Sequence, residues 1–317
     1  MVSNPGSILL NQQYVLTLDI GTSSLRAMLF DARARAVGGI ESQIKYELRA
    51  TSDGGVEADA DELLGYAERA IDEVLARAGD RAAHIAAVAS DSLVSNLLGV
   101  DGDGSALTPV YTYADSRGAR QVDELRAHLD EEKTHQRVGT LFHTSYWPAR
   151  LLWLAHERAD LLQRARYWMT LGEFFLLHWT GRRVCSYSAA AWTGLLDRQK
   201  LVWDAELIAQ LPITQNQLSP LVDHDSSVGP LSPEYAARWP ALKNAAWFPT
   251  VGDGAAANVG SGCIDASRIA LTVGTSSAMR VTKPSESSLP SQGLPRGLWS
   301  YRVTRDRELV GGALSEG

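Results

Sequence analysis

From Tyr14 to Ile20 apolar residues alternate with Thr17 and Asp19, stop at Gly21, and resume from Ser24 to Phe30. Two β-rich runs joined by so short a polar turn predict a hairpin with a Gly-Thr-Ser tip. Ile40, Ile44, Tyr46 and Leu48 keep a mostly two-residue alternation and predict a third strand over 39–48. At Asp59 the period changes. Leu64, Ala67, Ile71, Val74 and Ala78 recur at helical spacing, with Asp59 as N-cap, Glu62 as its capping-box partner and Gly79 as the stop. Residues 85–89 return to strand. Three antiparallel strands, a helix and a further strand make a mixed α/β layer, unlike the strict strand-helix alternation of a dinucleotide-binding fold.

Asp101-Gly-Asp-Gly104 has the look of a calcium loop but carries Ala106 and Thr112 where glycine and glutamate are required, which predicts a hairpin turn. A helical region follows over about 115–181, with Pro148 in the first turn of one helix. Trp147, Trp153, Trp168 and Trp179 lie there without interleaved basic residues, so they read as packing residues, not as a base-stacking platform. The Pro- and Ser-rich stretch 212–240 predicts a connection across the surface. Residues 245–251 form another strand, and 252–262 open a helix of very small residues. A second hairpin begins at Ile269.

That hairpin repeats the first. Leu16-Thr-Leu-Asp-Ile-Gly-Thr-Ser-Ser24 and Leu271-Thr-Val-Gly-Thr-Ser-Ser277 are nearly one strand and turn written twice, which indicates an internal duplication with the second copy only begun. Each tip presents backbone N–H groups and short hydroxyls, the means of gripping phosphate without large positive charge. A single tip of this kind could equally satisfy its own backbone; the repetition is what turns attention to two tips clamping one polyphosphate. Asp19, before the first tip, is placed for a magnesium ion or is an ordinary turn residue. Asp253, between a strand and an otherwise uncharged small-residue helix, can accept a proton from a hydroxyl attacking phosphorus, or can simply cap the helix. Gly252-Asp-Gly-Ala-Ala-Ala257 also fits a dinucleotide fingerprint, but Gly274 and Thr275 stand where its acidic residue belongs. There is no Walker A sequence, no serine nucleophile elbow and no i, i+4 histidine pair.

Composition narrows the classes. The 317 residues are 45% hydrophobic and 21% charged, enough for two ordinary domains or one large one. No stretch approaches the roughly 18 apolar residues of a membrane span, and the N-terminus lacks a signal peptide's basic start and apolar block, so a cytoplasmic protein is expected. Cys185 and Cys263 have no Cys or His at metal-binding spacing and read as buried small residues. A net charge of -7 without basic runs argues against nucleic acid, so an anionic ligand must be held by local geometry.

Together, Asp19-Ile-Gly-Thr-Ser-Ser-Leu-Arg26, Tyr113-Ala-Asp-Ser-Arg117, Gly252-Asp-Gly-Ala-Ala-Ala-Asn-Val-Gly260 and Thr272-Val-Gly-Thr-Ser-Ser-Ala-Met-Arg280 resemble the FGGY carbohydrate kinases, relatives of heat-shock chaperones and actin. Gly139-Thr-Leu-Phe-His143, Tyr146, Trp153 and the ending Val310 to Gly317 look most like the gluconate kinases within that family. The resemblance implies transfer of the ATP γ-phosphate to a sugar or polyol hydroxyl, with magnesium, between two RNase-H-like α/β domains. On it, residues 1–13 are an extension, 14–265 a first domain with a mixed sheet and helical insertion, and 266–317 the beginning of a second. It implies that Asp19 serves the metal, that Gly21, Thr22, Ser23 and Arg26 meet phosphate on one side and Gly274, Thr275 and Ser276 on the other, and that Asp253 is the general base. Val94-Ser95 stands where xylulose and gluconate kinases carry Met-His; Ser95, Asn96, Tyr146 and Asp253 are the expected sugar contacts.

Only the first strands of a second domain are present, which predicts a truncated kinase whose last strands must pack on the first domain to be stable. The expected partner is a small sugar or polyol, with neither nucleic acid nor membrane, and a homodimer is a compatible assembly. The competing readings are a nucleotide-binding scaffold of the chaperone or actin kind and a non-catalytic fragment.

Overall fold

The structure is a computed structural model and describes residues 13–273, 277–285 and 293–313. The expected first hairpin is β1 (Tyr14–Ile20) and β2 (Ser24–Asp31), followed by β3 (Ala36–Lys45). The two-residue period aims Leu16, Leu18, Ile20, Leu25, Ala27 and Leu29 at one face, where all are buried. Helix α1 (Ala60–Ala78) lays Leu64, Ala67, Ile71, Val74 and Ala78 against that face. Asp59 caps α1 by accepting from the Glu62 N–H. The reciprocal half of the predicted capping box is absent, because the Glu62 carboxylate accepts instead from the Tyr66 hydroxyl.

Strand β4 (Ile85–Ser92) pairs parallel with β1, and the sheet runs β5-β4-β1-β2-β3, with β5 (Ala246–Trp247) and β6 (Val251–Gly252) both parallel to β4. The one strand expected over 245–251 is thus two short pieces with a break between them. The antiparallel half comes from hairpins; the parallel half requires long crossovers, and the residues between β4 and β5 supply one. They include helices α2 (Trp147–Glu157) and α3 (Leu171–Thr180), the latter closed by a complete Thr170–Glu173 capping box. The 101–104 segment is a turn, as expected, with Asp101 accepting from the Asp103 and Ser105 N–H groups.

Two buried clusters result. One lies between the sheet, α1 and α3, and includes Trp179, Trp239 and Trp247; the other gathers Trp147, Trp168, Trp192 and the last strands. The 212–240 stretch is not merely a surface connection. Val228, Leu231, Tyr235 and Trp239 from it enter the first cluster, since its apolar residues are spaced between the prolines closely enough to dip inward.

Helix α4 (Asp253–Gly260) leads to a four-stranded antiparallel sheet of order β7-β8-β10-β9, made of β7 (Ile269–Val273), β8 (Ser277–Pro284), β9 (Trp299–Arg302) and β10 (Arg307–Ala313). It packs on the first domain as the sequence required. Tyr301, Val303 and Leu309 join the second cluster, Arg198 and Glu308 pair in the interior at 2.9 Å, and the Ser300 N–H donates to Gly139 O. Its far end stays open: Ile269, Leu271 and Val273 are exposed.

Candidate active site

Strands β1, β4 and β6 end together. Parallel register sets Asp19 opposite Asp91, then Asp91 opposite Val251 and Ser92 opposite Gly252, so Asp253 emerges at the same sheet edge. Because Leu18 and Ile20 point into the core, Asp19 between them points to the other face, as does its cross-strand neighbour Arg26 on β2. Three carboxylates therefore meet where few compensating charges reach. Burial, then the charges of Asp19 and Asp253, push Asp91 up to about 8. Burial also raises Asp253 to about 6, against the opposing pull of the Gly254 N–H and the Arg280 charge. Asp253 is the carboxylate poised to exchange a proton near neutral pH, and Asp91 holds one.

Asp253 is not the helix cap. Gly252 takes that position, and the Asp253 Oδ1 accepts from the Gly254 N–H at 2.7 Å. The glycines on either side have a steric purpose. A Cβ at Gly252 would lie 2.7 Å from Val94 Cγ1 and 2.9 Å from Trp192 Nε1, and one at Gly254 would lie 3.3 Å from the same indole. Their absence makes room for Trp192 against the turn that carries Asp253. Ser188 Oγ accepts from the Gly252 N–H at 3.1 Å, and Trp192 stacks on Tyr301 at 3.6 Å. The wall beside Asp253 is aromatic and is completed by the last strands.

The first tip, Gly21, Thr22 and Ser23, follows directly from Asp19. The Gly21 N–H donates to Ser24 O at 3.0 Å, and the Tyr46 hydroxyl donates to Gly21 O, pinning the turn. Burial and then Asp19 push Tyr46 up to about 12, so it stays a donor. Gly274, Thr275 and Ser276, the expected second tip, lie outside the described residues, although β7 and β8 form the expected hairpin around them.

The structure thus gathers Asp19, Arg26, the first tip and Asp253 at one edge of the sheet. The other expected contacts have polar atoms engaged within the fold. The Ser95 hydroxyl donates to Trp192 O at 2.9 Å, and Ser95 itself is held at a φ of 56°, its carbonyl bonded by the buried Arg150. Asn96 is spent on structure: its amide donates to Leu93 O and accepts from the Leu171 N–H that opens α3. Tyr146 bonds the Tyr301 hydroxyl at 2.5 Å, and burial pushes it up to about 12. In the Tyr113–Arg117 motif, Arg117 pairs with Asp115 and Glu57 and lies over Trp153, a brace between the insertion and the segment that leads into α1.

Three residues of the site escaped the sequence reading: Asp91, Trp192 and Arg280. Asp91 had a signal, a lone acid near the end of a predicted strand, but its partner Asp19 is 72 positions away and only register joins them.

A magnesium ion binds through one or two carboxylates, keeps several waters and shares the phosphates of its nucleotide. The Asp19–Asp91 pair, in which burial first and then the charges of Asp19 and Asp253 raise the Asp91 carboxyl, fits that requirement. Among the described residues the one set of side chains close enough to wrap an ion directly is Asp223, His224 and Asp225; Asp223 there also accepts from the Arg305 N–H.

Residues 14–260 match the FGGY family of carbohydrate kinases, N-terminal domain. The chain belongs to this family. It is 26% identical over 307 residues to the gluconokinase of Bacillus subtilis, covering 96% of this chain and 58% of that protein. It is 30% identical over 230 residues to the autoinducer-2 kinase of Salmonella typhimurium, covering 70% and 42% respectively. Among solved structures, xylulose kinase from Rhodospirillum rubrum superposes with a TM-score of 0.88 at 20% identity over 96% of this chain and 61% of that one. Gluconate kinase from Lactobacillus acidophilus gives 0.83 at 25% over 95% and 59%. The FGGY kinases are phosphotransferases with an alcohol acceptor, they use ATP, and their RNase-H-like α/β fold is the one seen here. The chain spans about two fifths to three fifths of the length of these relatives.

Proposed function

We propose that the whole protein transfers the γ-phosphoryl group of ATP to a hydroxyl of a sugar, sugar acid or polyol, with Asp253 as general base. The observation that carries this reading is Asp253 itself: a half-buried carboxylate raised to about 6, on the first turn of a small-residue helix, beside Asp91 and the Trp192 ring. A base whose proton affinity lies near the working pH is most effective, and burial against Trp192 provides that tuning. The first tip and Arg26 supply donors for phosphate, and Asp19 and Asp91 would hold magnesium, which neutralises charge on the phosphates when bound.

Phosphoryl transfer asks little covalent chemistry of a protein and much positioning. The acceptor hydroxyl sits by the aromatic wall and gives its proton to Asp253 as it attacks; Tyr46 keeps the tip fixed, and Trp192 lies against the turn that carries the base. A chaperone- or actin-like scaffold would have no use for this desolvated base. Two free, buried cysteines suit a reducing, cytoplasmic setting, and no helix among the described residues is long and apolar enough to cross a membrane. The test is sugar-dependent ADP release by the full-length protein and its Asp253→Asn variant: a fall of about a hundredfold or more supports the role, and equal rates dismiss it.

A further inference from the structure

Arg280 feels the opposite charge of Asp253 but, among the described residues, has no carboxylate within ion-pair distance. It lies on β8 and reaches toward the Asp253 turn, its Nε 3.8 Å from where a Cβ on Gly254 would sit. Its Nη1 donates to the Thr272 hydroxyl at 2.9 Å, and its Nε is buried with no acceptor among the described residues. The guanidinium stands 5.9 Å from the centre of the Trp299 ring. Among the described residues Arg280 forms no ion pair, whereas Arg117, Arg137 and Arg198 all do. A partly buried cation with an unmet donor is costly to maintain and marks a place for an anion.

The position of that anion follows from the surroundings of Arg280. It reaches the Asp253 turn from β8 beside Trp299, and Trp299 and Tyr301 pack with Trp192. Arg280 therefore stands on the aromatic wall next to the base. That is the acceptor's side of the reaction.

We propose that Arg280 is a specificity-determining residue that binds the carboxylate of a sugar-acid acceptor, holding the opposite end of the substrate from the hydroxyl that faces Asp253. This rests on the kinase reading and narrows its substrate to polyhydroxy acids. A planar guanidinium suits a carboxylate through two parallel N–H donors, a geometry an ammonium lacks.

Calorimetry on the full-length protein tests it, using gluconate, its neutral counterpart sorbitol, and ATP as separate titrants, with thermal unfolding run on every variant. The wild type should prefer gluconate to sorbitol by about tenfold or more. Arg280→Gln should erase that preference, and Arg280→Lys should restore part of it. Equal binding of the two polyols by the wild type, or a preference that survives in Arg280→Gln, overturns the assignment and leaves the carbohydrate site standing. Weakened ATP binding in Arg280→Gln with the gluconate preference intact gives the guanidinium to the nucleotide phosphates and also overturns it. If neither polyol binds, the kinase reading fails and this inference with it.

Discussion

Replacing Asp253 by Asn should stabilise the protein, and the gain should grow with pH. The carboxyl rises from 3.8 to about 6 on folding, chiefly because burial disfavours its charge. The native state therefore holds a proton that the unfolded chain has released between those two values. Stability is lost as pH rises through this window and stays low above it. At about 1.4 kcal/mol per pH unit, the ionised carboxylate costs about 3 kcal/mol at about pH 8 and about 1.5 kcal/mol at about pH 5. Asparagine keeps the shape and the acceptor for the Gly254 N–H without the charge. Urea unfolding of wild type and variant at both pH values reads the difference directly. A difference that does not grow from the lower to the higher pH refutes the reasoning, as does a variant less stable than wild type at pH 8. Either result would mean that the site compensates its base, and a catalytic role would lose its physical support.

Asp91→Asn should act in the same direction over a wider window, because that carboxyl rises from 3.8 to about 8: stability of the variant relative to wild type should increase by about 3 to 4 kcal/mol between pH 5 and pH 8, read by thermal unfolding. Adding magnesium should narrow this difference if the Asp19–Asp91 pair holds the ion. Gly252→Ala introduces a Cβ into space held by Val94 and Trp192, which should cost about 1 to 3 kcal/mol and, by displacing Asp253, lower kcat more than KM changes in the full-length enzyme. Tyr46→Phe removes the donor to Gly21 O and should weaken ATP binding severalfold by calorimetry with a stability loss of about 1 kcal/mol.

Much of the first half of the fold was legible because local rules agreed with one another. The period-two runs around Gly21, the change of period at Asp59 and the stop at Gly79 each rest on a few neighbouring residues, and all three hold. The repeated hairpin was readable for the same reason, since β7 and β8 reproduce a pairing written in adjacent residues. Where the reading slipped, longer-range contacts decided. Prolines between 212 and 240 signal turns correctly, yet Trp239 is drawn inward by Trp179, 60 positions earlier in the chain, and Tyr235 packs on Trp239.

The candidate site divides the same way. Asp19 and Asp253 were visible from sequence because each ends a strand beside glycine, and the chain alone marks such positions. Asn96 and Ser95 were drawn in by their position after a strand, but the packing of α3 and Trp192 uses their polar atoms, since a buried amide or hydroxyl must find partners wherever they are offered. Asp91, Trp192 and Arg280 come to Asp253 from three separate stretches of chain. Parallel register, the missing side chains at Gly252 and Gly254, and the seating of the last sheet on the first domain bring them there. Sequence determined which residues could carry charge and where strands would stop. Only the tertiary structure decided which charges would face each other out of water, because desolvation and Coulomb energy depend on distance through space and not along the chain.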